Sequence, residues 1–396
     1  MLWIFLLPIF LLANDLVPVH FEGRIRPLYA EGGKLQDSSK VLPDRFDTTW
    51  HPLNAIDNED IPLLYDRDTL LPYYQQGEWD KLSEKLAEQY VPLEGTPFLE
   101  SPGATYYYPT LNQLWAEKIY LSFPWLWVVF GVYFLSLLTG WLSPFIIAIL
   151  LHTGLLAARI YILGRPPVAN MMETLLYVPW ISSLACLFYS HKAVIILGSL
   201  LACTLFAILE IYFNPKGLEN LQAVLNSNYW LTIHVMLIVA SYGVLILNGL
   251  IAHYALFKND YSKEKILLKT LYLGVFLLIP GTILGGVWAA ESWGRFWDWD
   301  PKESWAFISS VLYVTVIHAY RTGKIGMKGL AIGSIIGFNA ITFTWYGVNY
   351  ILGTGLHSYG FGNGGQIYYY LFLIIEFLII SWALLADRLK NNKKLC

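Results

Sequence analysis

A succession of apolar runs of membrane-spanning length is the feature that most constrains this chain. The runs follow one another after residue 118, at about 119–139, 142–163, 174–190, 193–212, 229–257, 270–290, 305–320, 329–352 and 366–387. A helix of about 20 apolar residues crosses the hydrocarbon core of a bilayer with all its backbone hydrogen bonds made. Only 14% of the residues are charged, whereas soluble domains carry about 25%. The sequence therefore predicts an all-α polytopic membrane protein with about nine transmembrane helices.

The remaining segments flank this predicted transmembrane domain, which covers 119–387. Residues 1–13 are apolar but short, which fits either a cleaved signal or a short first span. Residues 14–118 hold most of the acidic side chains and many prolines, and we expect them to form an extracytoplasmic segment. Lysine and arginine cluster in the loops after the fifth and seventh runs and in the tail 388–396. Nine spans place these clusters on one side, which the positive-inside rule makes cytoplasmic.

Composition excludes several function classes. The formal net charge is -3, with 26 basic against 29 acidic residues, so the chain has no basic excess with which to neutralise nucleic-acid phosphates. The three cysteines form neither a C-x-x-C pair nor a C-x-x-C-H motif. The chain is therefore predicted to be neither a thiol oxidoreductase nor a carrier of covalently attached haem.

Five of the 16 tryptophans fall within Trp288–Trp305, WAAESWGRFWDWDPKESW. Asp300 is a good N-cap, Pro301 suits the first helical position and Glu303 stands at the third, so a helix should begin at Pro301. The preceding indoles suggest an aromatic surface at the outer membrane boundary, suited to a large planar apolar ligand. Arg295 is a candidate for carboxylates at the rim of that ligand. The alternative is an interfacial anchor without a ligand.

Two histidines far apart in sequence are placed by the predicted topology at the same outer face. His234 lies about one turn inside the fifth run, and His357 lies in the glycine-rich stretch GTGLHSYGFGNGG after the eighth. Two imidazoles on opposite sides of a plane are what six-coordinate haem iron requires. Two unrelated interfacial histidines remain the alternative. His318 and His152 lie deeper in predicted spans, where ionisable residues are costly and usually functional; the alternative is a neutral histidine hydrogen-bonded between helices. Glu376 also lies within a span, where a protonated, paired carboxyl is the modest interpretation.

These motifs resemble the CcsA (ResC) family of the haem-handling superfamily that also contains CcmC and CcmF. WGRFWDWDPKESW at Trp293–Trp305 looks like the tryptophan-rich "WWD" signature, and GLHSYG at Gly355–Gly360 looks like the second external histidine motif of CcsA. His234 resembles the first external histidine, and His318 resembles the intramembrane histidine. FEGRIRPL at Phe21–Leu28 looks like the junction in fused CcsB–CcsA proteins, which suggests the C-terminal portion of a split fusion.

The resemblance implies cytochrome c biogenesis of the System II type, at the outer face of the cell inner (cytoplasmic) membrane. It implies that haem b enters near His318 and is then held by His234 and His357, where thioether bonds form with the C-x-x-C-H thiols of an apocytochrome c. The implied partners are a CcsB/ResB-type membrane protein, the apocytochrome and a thiol-reducing thioredoxin-like protein, within the lipid bilayer. The implied enzyme is a holocytochrome c synthase, a thioether-forming haem lyase.

The predicted haem-site residues are His234, His357, His318, Trp288, Trp293, Trp297, Trp299, Asp300, Trp305 and Arg295. Of these, His234 and His357 are the predicted iron ligands, and His318 is a transient one. Three alternatives stay open. They are a haem carrier or exporter that forms no covalent bond, a membrane subunit that transfers electrons through b-type haem, and a structural partner.

Overall fold

The structure is a computed structural model of the chain. It describes residues 18–21, 24–27, 41–42, 51–52, 72–73, 76, 81, 97–101, 104–107, 111–189, 191–212, 218, 227–260, 262, 264–353 and 366–392. His357 and residues 1–13 lie outside these ranges, so the predictions that concern them remain predictions.

Short antiparallel hairpins occur in the N-terminal segment. Strands β1 (Pro18–Phe21) and β2 (Arg24–Pro27) pair, as do β3 (Val41–Leu42) with β4 (His51–Pro52), and β5 (Pro97–Ser101) with β6 (Ala104–Tyr107). The structure therefore confirms an all-α membrane part and adds small strand pairs ahead of it.

Ten helices follow the strands in the described part of the chain. They are α1 (Leu111–Ser122), α2 (Trp125–Thr139), α3 (Leu142–Leu163), α4 (Met171–Leu187), α5 (Lys192–Tyr212), α6 (Asn228–Lys258), α7 (Glu264–Trp293), α8 (Pro301–Arg321), α9 (Met327–Leu352) and α10 (Gln366–Asn392). Two contain π-helical turns: Leu231–Val235 in α6 and Phe343–Leu352 in α9. Such turns often occur at functional sites.

The number of helices able to cross a membrane is six in the described residues, or seven if a bent pair counts as one span. The six are α3, α5, α6, α7, α9 and α10, and the bent pair is α1 with α2, which meet at 54°. Helix α4 is only 17 residues long, and α8 carries several charged residues. Each of the nine predicted spans coincides with a helix, but nine crossings are not confirmed.

The chain divides into two compact units. The first contains Met1–Val128, Gly154–Pro166 and Lys216–Asn228. Within it the fully buried guanidinium of Arg159 donates a hydrogen bond to the Tyr120 hydroxyl at 3.0 Å and lies 5.7 Å from the centre of the Tyr120 ring. A buried cation is thus stabilised by a hydroxyl and an aromatic face.

The second unit contains Val129–Thr153, Pro167–Pro215 and Tyr229–Cys396. Helix α6 is its most enclosed candidate span, with 78% of its most apolar window buried. Helices α6 and α7 pack closely because glycines of α7 meet side chains of α6 in antiparallel register: Gly274 meets Leu245, Gly281 meets Ile238 and Gly285 meets His234. Small residues at such contacts let helix backbones approach in a membrane protein. This pairing places the N-terminal end of α6 beside the C-terminal end of α7.

Candidate functional site

His234 occupies the π-helical turn Leu231–Val235 of α6 and is half-buried against α7. Its Nδ1 lies 2.8 Å from the backbone oxygen of Gly281. Because a carbonyl oxygen can only accept, Nδ1 must carry the hydrogen and donate it. In the neutral imidazole the lone pair then belongs to Nε2. A backbone carbonyl that orients the second nitrogen of a histidine is the usual support for a metal-ligating imidazole.

The His234 ring packs against the backbone of α7 at Gly285, where there is no side chain. A Cβ atom at Gly285 would lie 2.7 Å from His234 Cε1, which is closer than real Cβ contacts allow, and 3.2 Å from Nε2, which is already tight. The imidazole therefore rests where only glycine leaves room. Nothing in the sequence singles out this residue, since glycine is common in membrane helices.

The indole rings of Trp288 and Trp230 lie near His234. The Trp288 ring lies edge-on to the imidazole, with centroids 5.8 Å apart and an interplanar angle of 61°. Trp230 stacks on Trp288 at 6.4 Å and 14°, and its Nε1 donates a hydrogen bond to Glu291 Oε2 at 2.7 Å. Trp288 was predicted for the site, whereas Trp230 and Glu291 were missed. Their helical spacing from His234 and Trp288 was the available signal.

Four of the five tryptophans of the predicted platform fall into three separate ring contacts. Helix α7 ends at Trp293 because Gly294 takes a left-handed conformation with φ of +73°. Trp297 and Trp299 then lie edge to face in an irregular segment, with centroids 6.0 Å apart. Trp305, in α8, packs at 4.2 Å against Phe343. The structure thus brings Trp288 to His234, while Trp297 and Trp299 contact each other and Trp305 contacts Phe343.

Trp299 is the strained member of this segment. Its φ is +57°, in the left-handed region that non-glycine residues rarely adopt, and its side chain is 70% exposed. Its ring contacts Phe307 edge-on at 6.3 Å. Strained, exposed aromatic residues are concentrated at binding sites, so Trp299 is consistent with its predicted role.

The start of α8 is the predicted capping box. Asp300 accepts hydrogen bonds from the backbone amides of Lys302 and Glu303, and the Glu303 carboxylate accepts from the backbone of Asp300 and of Asp298. Arg295 donates to Asp298 at 2.6 Å. Asp300 therefore caps α8 and orders the segment, and the Arg295 guanidinium, predicted to meet a ligand carboxylate, has the Asp298 carboxylate as an internal partner.

Lys302 joins the first turn of α8 to the π-helical turns of α9. Its ammonium donates to Asn349 Oδ1 at 2.7 Å and to the Trp345 backbone oxygen at 3.2 Å. Desolvation lowers the pKa of this ammonium, which precedes the predicted span 305–320, to about 7, although the Asp300 carboxylate acts to raise it. Further along, Ser309 and Thr344 are linked at 3.0 Å. Polar contacts thus fix one face of α8 against α9.

His318 is exposed on the opposite face of α8. Phe307, Val311 and Val314 are also exposed, and together with His318 they follow helical spacing along this face. His318 lies ~16 Å along the axis from Phe307 at 1.5 Å per residue. The role of His318 at a haem position separate from that of His234 stays a prediction.

The structure gives specific partners to two further polar residues within predicted spans, Glu376 and His152. His253 in α6 is buried, and its Nε2 lies 3.0 Å from Glu376 Oε2. The other ring nitrogen of His253 donates to the Gly249 oxygen at 2.8 Å. His152 is fully buried, and its Nδ1 is hydrogen-bonded to the Tyr133 hydroxyl at 3.3 Å. Interhelical pairing thus explains Glu376 and His152.

Comparison with known proteins identifies the family. The profile described as "Cytochrome C assembly protein" matches residues 168–357, a range that contains His234, Trp288–Trp305 and His318 and ends at His357. The cytochrome c biogenesis protein CcsA of Carica papaya is 30% identical over 312 residues, covering 61% of this chain and 95% of that protein. The chain belongs to the CcsA family of cytochrome c biogenesis proteins.

Two other relatives show how much of each protein is similar to this chain. Protein NrfI of Wolinella succinogenes is 37% identical over 244 residues, which are 57% of this chain and 26% of NrfI. CcsA of Chlamydomonas reinhardtii is 33% identical over 222 residues, 50% of this chain and 62% of that CcsA. The chain thus spans about a quarter of NrfI and three fifths of the algal CcsA.

Proposed function

We propose that this CcsA-family chain holds haem b at an outer site through His234 and presents it for covalent attachment to the C-x-x-C-H motif of an apocytochrome c. It would act as a subunit of a holocytochrome c synthase in the inner membrane, with the site on the extracytoplasmic face. The observation that carries this proposal is the fixed imidazole of His234, with Nδ1 bonded to Gly281 O at 2.8 Å and Trp288 beside it.

The donor set around His234 fits a haem. The tautomer set by Gly281 assigns the ligating lone pair to Nε2, the nitrogen that a haem iron takes from a histidine. The indoles of Trp288 and Trp230 offer apolar contact area for a porphyrin edge. The resemblance assigns the opposite axial position to His357. Arg295 could meet a propionate only by leaving Asp298, so we assign it a weaker role than the sequence suggested.

The chemistry required of the bound haem is an addition. Each thiol adds across a vinyl C=C bond, so that sulfur bonds to one vinyl carbon, the hydrogen goes to the other, and nothing leaves. The thiols must be reduced beforehand, which calls for the thioredoxin-like partner. The role of this chain is positioning: the imidazole fixes the iron, and the surrounding aromatic residues limit rotation of the ring plane.

The inner position is assigned to His318. Since His318 is exposed on an apolar face of α8, a second ligand for iron there must approach from outside that face. A histidine from a CcsB-type partner in the membrane meets this requirement. The exposed face running from His318 to Phe307, which contacts Trp299, is the proposed route between the two haem positions.

The test combines haem content with product formation. Co-expression with a CcsB-type partner and an apocytochrome should yield cytochrome with haem attached by thioether bonds, detected by haem staining after denaturation. His234→Ala should abolish attachment, and added imidazole should restore part of it. His191→Ala is the matched control, since His191 lies at the start of α5 and accepts from Ala193 N. Haem transfer without thioether product would favour the carrier alternative instead.

A further inference from the structure

Gly285 and Gly286 are consecutive in α7, and each meets a different aromatic side chain. A Cβ atom at Gly285 would meet the His234 ring, whereas one at Gly286 would lie 2.8 Å from Cζ, 2.9 Å from Cε2 and 2.9 Å from the backbone oxygen of Phe296. Real Cβ atoms do not come so close, so Phe296 occupies space that only glycine leaves. Consecutive residues of an α-helix differ by about 100° around the axis and about 1.5 Å along it. Phe296 therefore packs on α7 immediately beside the position where His234 packs.

The chain reaches this position by turning back on α7. The helix ends at Trp293, and Gly294 follows in a left-handed conformation with φ of +73°. Ala289 and Ala290 lie three and four residues after Gly286 and share its face of the helix. The returning segment therefore meets small side chains over the turn that follows Gly286.

The same segment is fixed to α8 at its other end. The Glu303 carboxylate accepts hydrogen bonds from the backbone amides of Asp298 at 2.9 Å and Asp300 at 3.3 Å. Trp299 lies between these two residues with a φ of +57°. A non-glycine residue keeps such a strained conformation only where its surroundings over-determine it. The Phe296 contact with α7 and the Glu303 hydrogen bonds supply this restraint from both sides.

From these contacts we infer that Phe296 is a positioning residue, which anchors the segment Gly294–Asp300 to α7 beside His234, and that Gly286 is the position that receives it. Without this anchor the hydrogen bonds to Glu303 would hold the segment at α8 alone. The pair of Trp297 and Trp299 would then no longer be held next to the α7 face on which His234 packs. The effect expected on haem rests on the proposed function, whereas the anchor itself does not.

The test of the anchor is limited digestion with trypsin, because trypsin cleaves after arginine and Arg295–Phe296 is the peptide bond at the anchor. The rate of cutting in a locally opening segment follows the population of the open form. Full-length protein in detergent is digested, and each rate after Arg295 is divided by that of a matching synthetic peptide spanning residues 293–300. Cleavage after Lys324, in the exposed turn between α8 and α9, is the internal reference for global folding.

Gly286→Ala and Phe296→Ala should each raise cleavage after Arg295 by about tenfold or more and leave cleavage after Lys324 unchanged. Gly285→Ala is the matched control, because its new methyl group faces His234, and Gly131→Ala is a second control, because its Cβ meets nothing within 4 Å. Both controls should be cut at the wild-type rate. A wild-type rate in either Gly286→Ala or Phe296→Ala would overturn the anchor. If Gly286→Ala is cut faster at both sites, its fold is damaged, and Phe296→Ala, which adds no atoms, decides.

A haem titration of Gly286→Ala tests the positioning role. The hydrogen bond between His234 and Gly281 does not involve Phe296, so the electron paramagnetic resonance signals of bound ferric haem should match those of the wild type. The Kd for haem should nevertheless rise several-fold, because the segment is no longer held beside the site. An opened segment with an unchanged Kd would overturn the positioning role. A wild-type protein that binds no haem would instead refute the proposed function and leave the tryptic result standing.

Discussion

Replacing Gly285 with alanine should weaken haem binding at the outer site without harming the fold. The new Cβ would lie 2.7 Å from His234 Cε1, while ordinary contact begins at 3.4 Å, so the ring must retreat by about 0.7 Å. A retreat of that size stretches the 2.8 Å bond from Nδ1 to Gly281 O to the limit of hydrogen bonding. Losing a partner that orients a metal ligand typically costs 10–100-fold in affinity, so we expect Kd for haem to rise by about that factor.

The assay is a haem titration of purified protein followed by Soret absorbance. Gly131→Ala and Gly154→Ala are matched controls, because a Cβ at either position meets nothing within 4 Å. All three substitutions place alanine inside a helix, where it is favoured over glycine by about 1 kcal/mol, so a loss confined to Gly285→Ala reports the His234 contact. A Kd for Gly285→Ala equal to that of the controls would refute the reasoning that this glycine seats the ligand.

Substitutions at three further positions test individual contacts. Trp230→Phe removes the indole N–H that donates to Glu291 but keeps an aromatic ring against Trp288. The lost hydrogen bond contributes about 1 kcal/mol, so haem affinity should fall several-fold. An unchanged haem titration would show that the Trp230–Glu291 hydrogen bond is dispensable. Asp300→Ala should lower the stability of the protein in detergent by about 0.5–2 kcal/mol, whereas Asp300→Asn, which can still cap α8, should lower it less. Equal melting temperatures for these two variants would count against the capping role. Glu376→Ala leaves His253 buried without its partner and should destabilise the protein by about 3–5 kcal/mol, whereas Glu376→Gln should have a smaller effect. Thermal unfolding of both variants measures this difference, and equal effects would contradict the pairing of His253 with Glu376.

The features predicted correctly from sequence are those set by local chemistry. The capping box at Asp300 and Glu303 follows from residues within one helical turn, and the structure contains it. The apolar runs predicted the positions of the helices because spanning length and hydropathy are local properties. The count of crossings was not confirmed, since α4 has only 17 residues and α8 is not among the six helices of the described residues that are long and apolar enough to cross a membrane.

The features that sequence could not supply depend on contacts between distant helices. Gly285 is one of 31 glycines, and nothing in its neighbourhood signals that it meets His234. His253 and Glu376 are 123 residues apart, so their pairing becomes visible only when α6 and α10 are packed. The sequence predicted an indole platform within Trp288–Trp305, but not that α7 ends inside this segment at Gly294.

The central claim is that the His234 nitrogen ligates haem iron together with a second imidazole. Pulsed electron paramagnetic resonance of ferric protein with ¹⁵N-labelled histidine measures this directly, because each coordinated imidazole nitrogen couples to the iron. We predict couplings from two histidine nitrogens in the wild type and from one in His234→Ala loaded with unlabelled imidazole. Two labelled nitrogens in His234→Ala would contradict the account, since the iron would then be bound elsewhere.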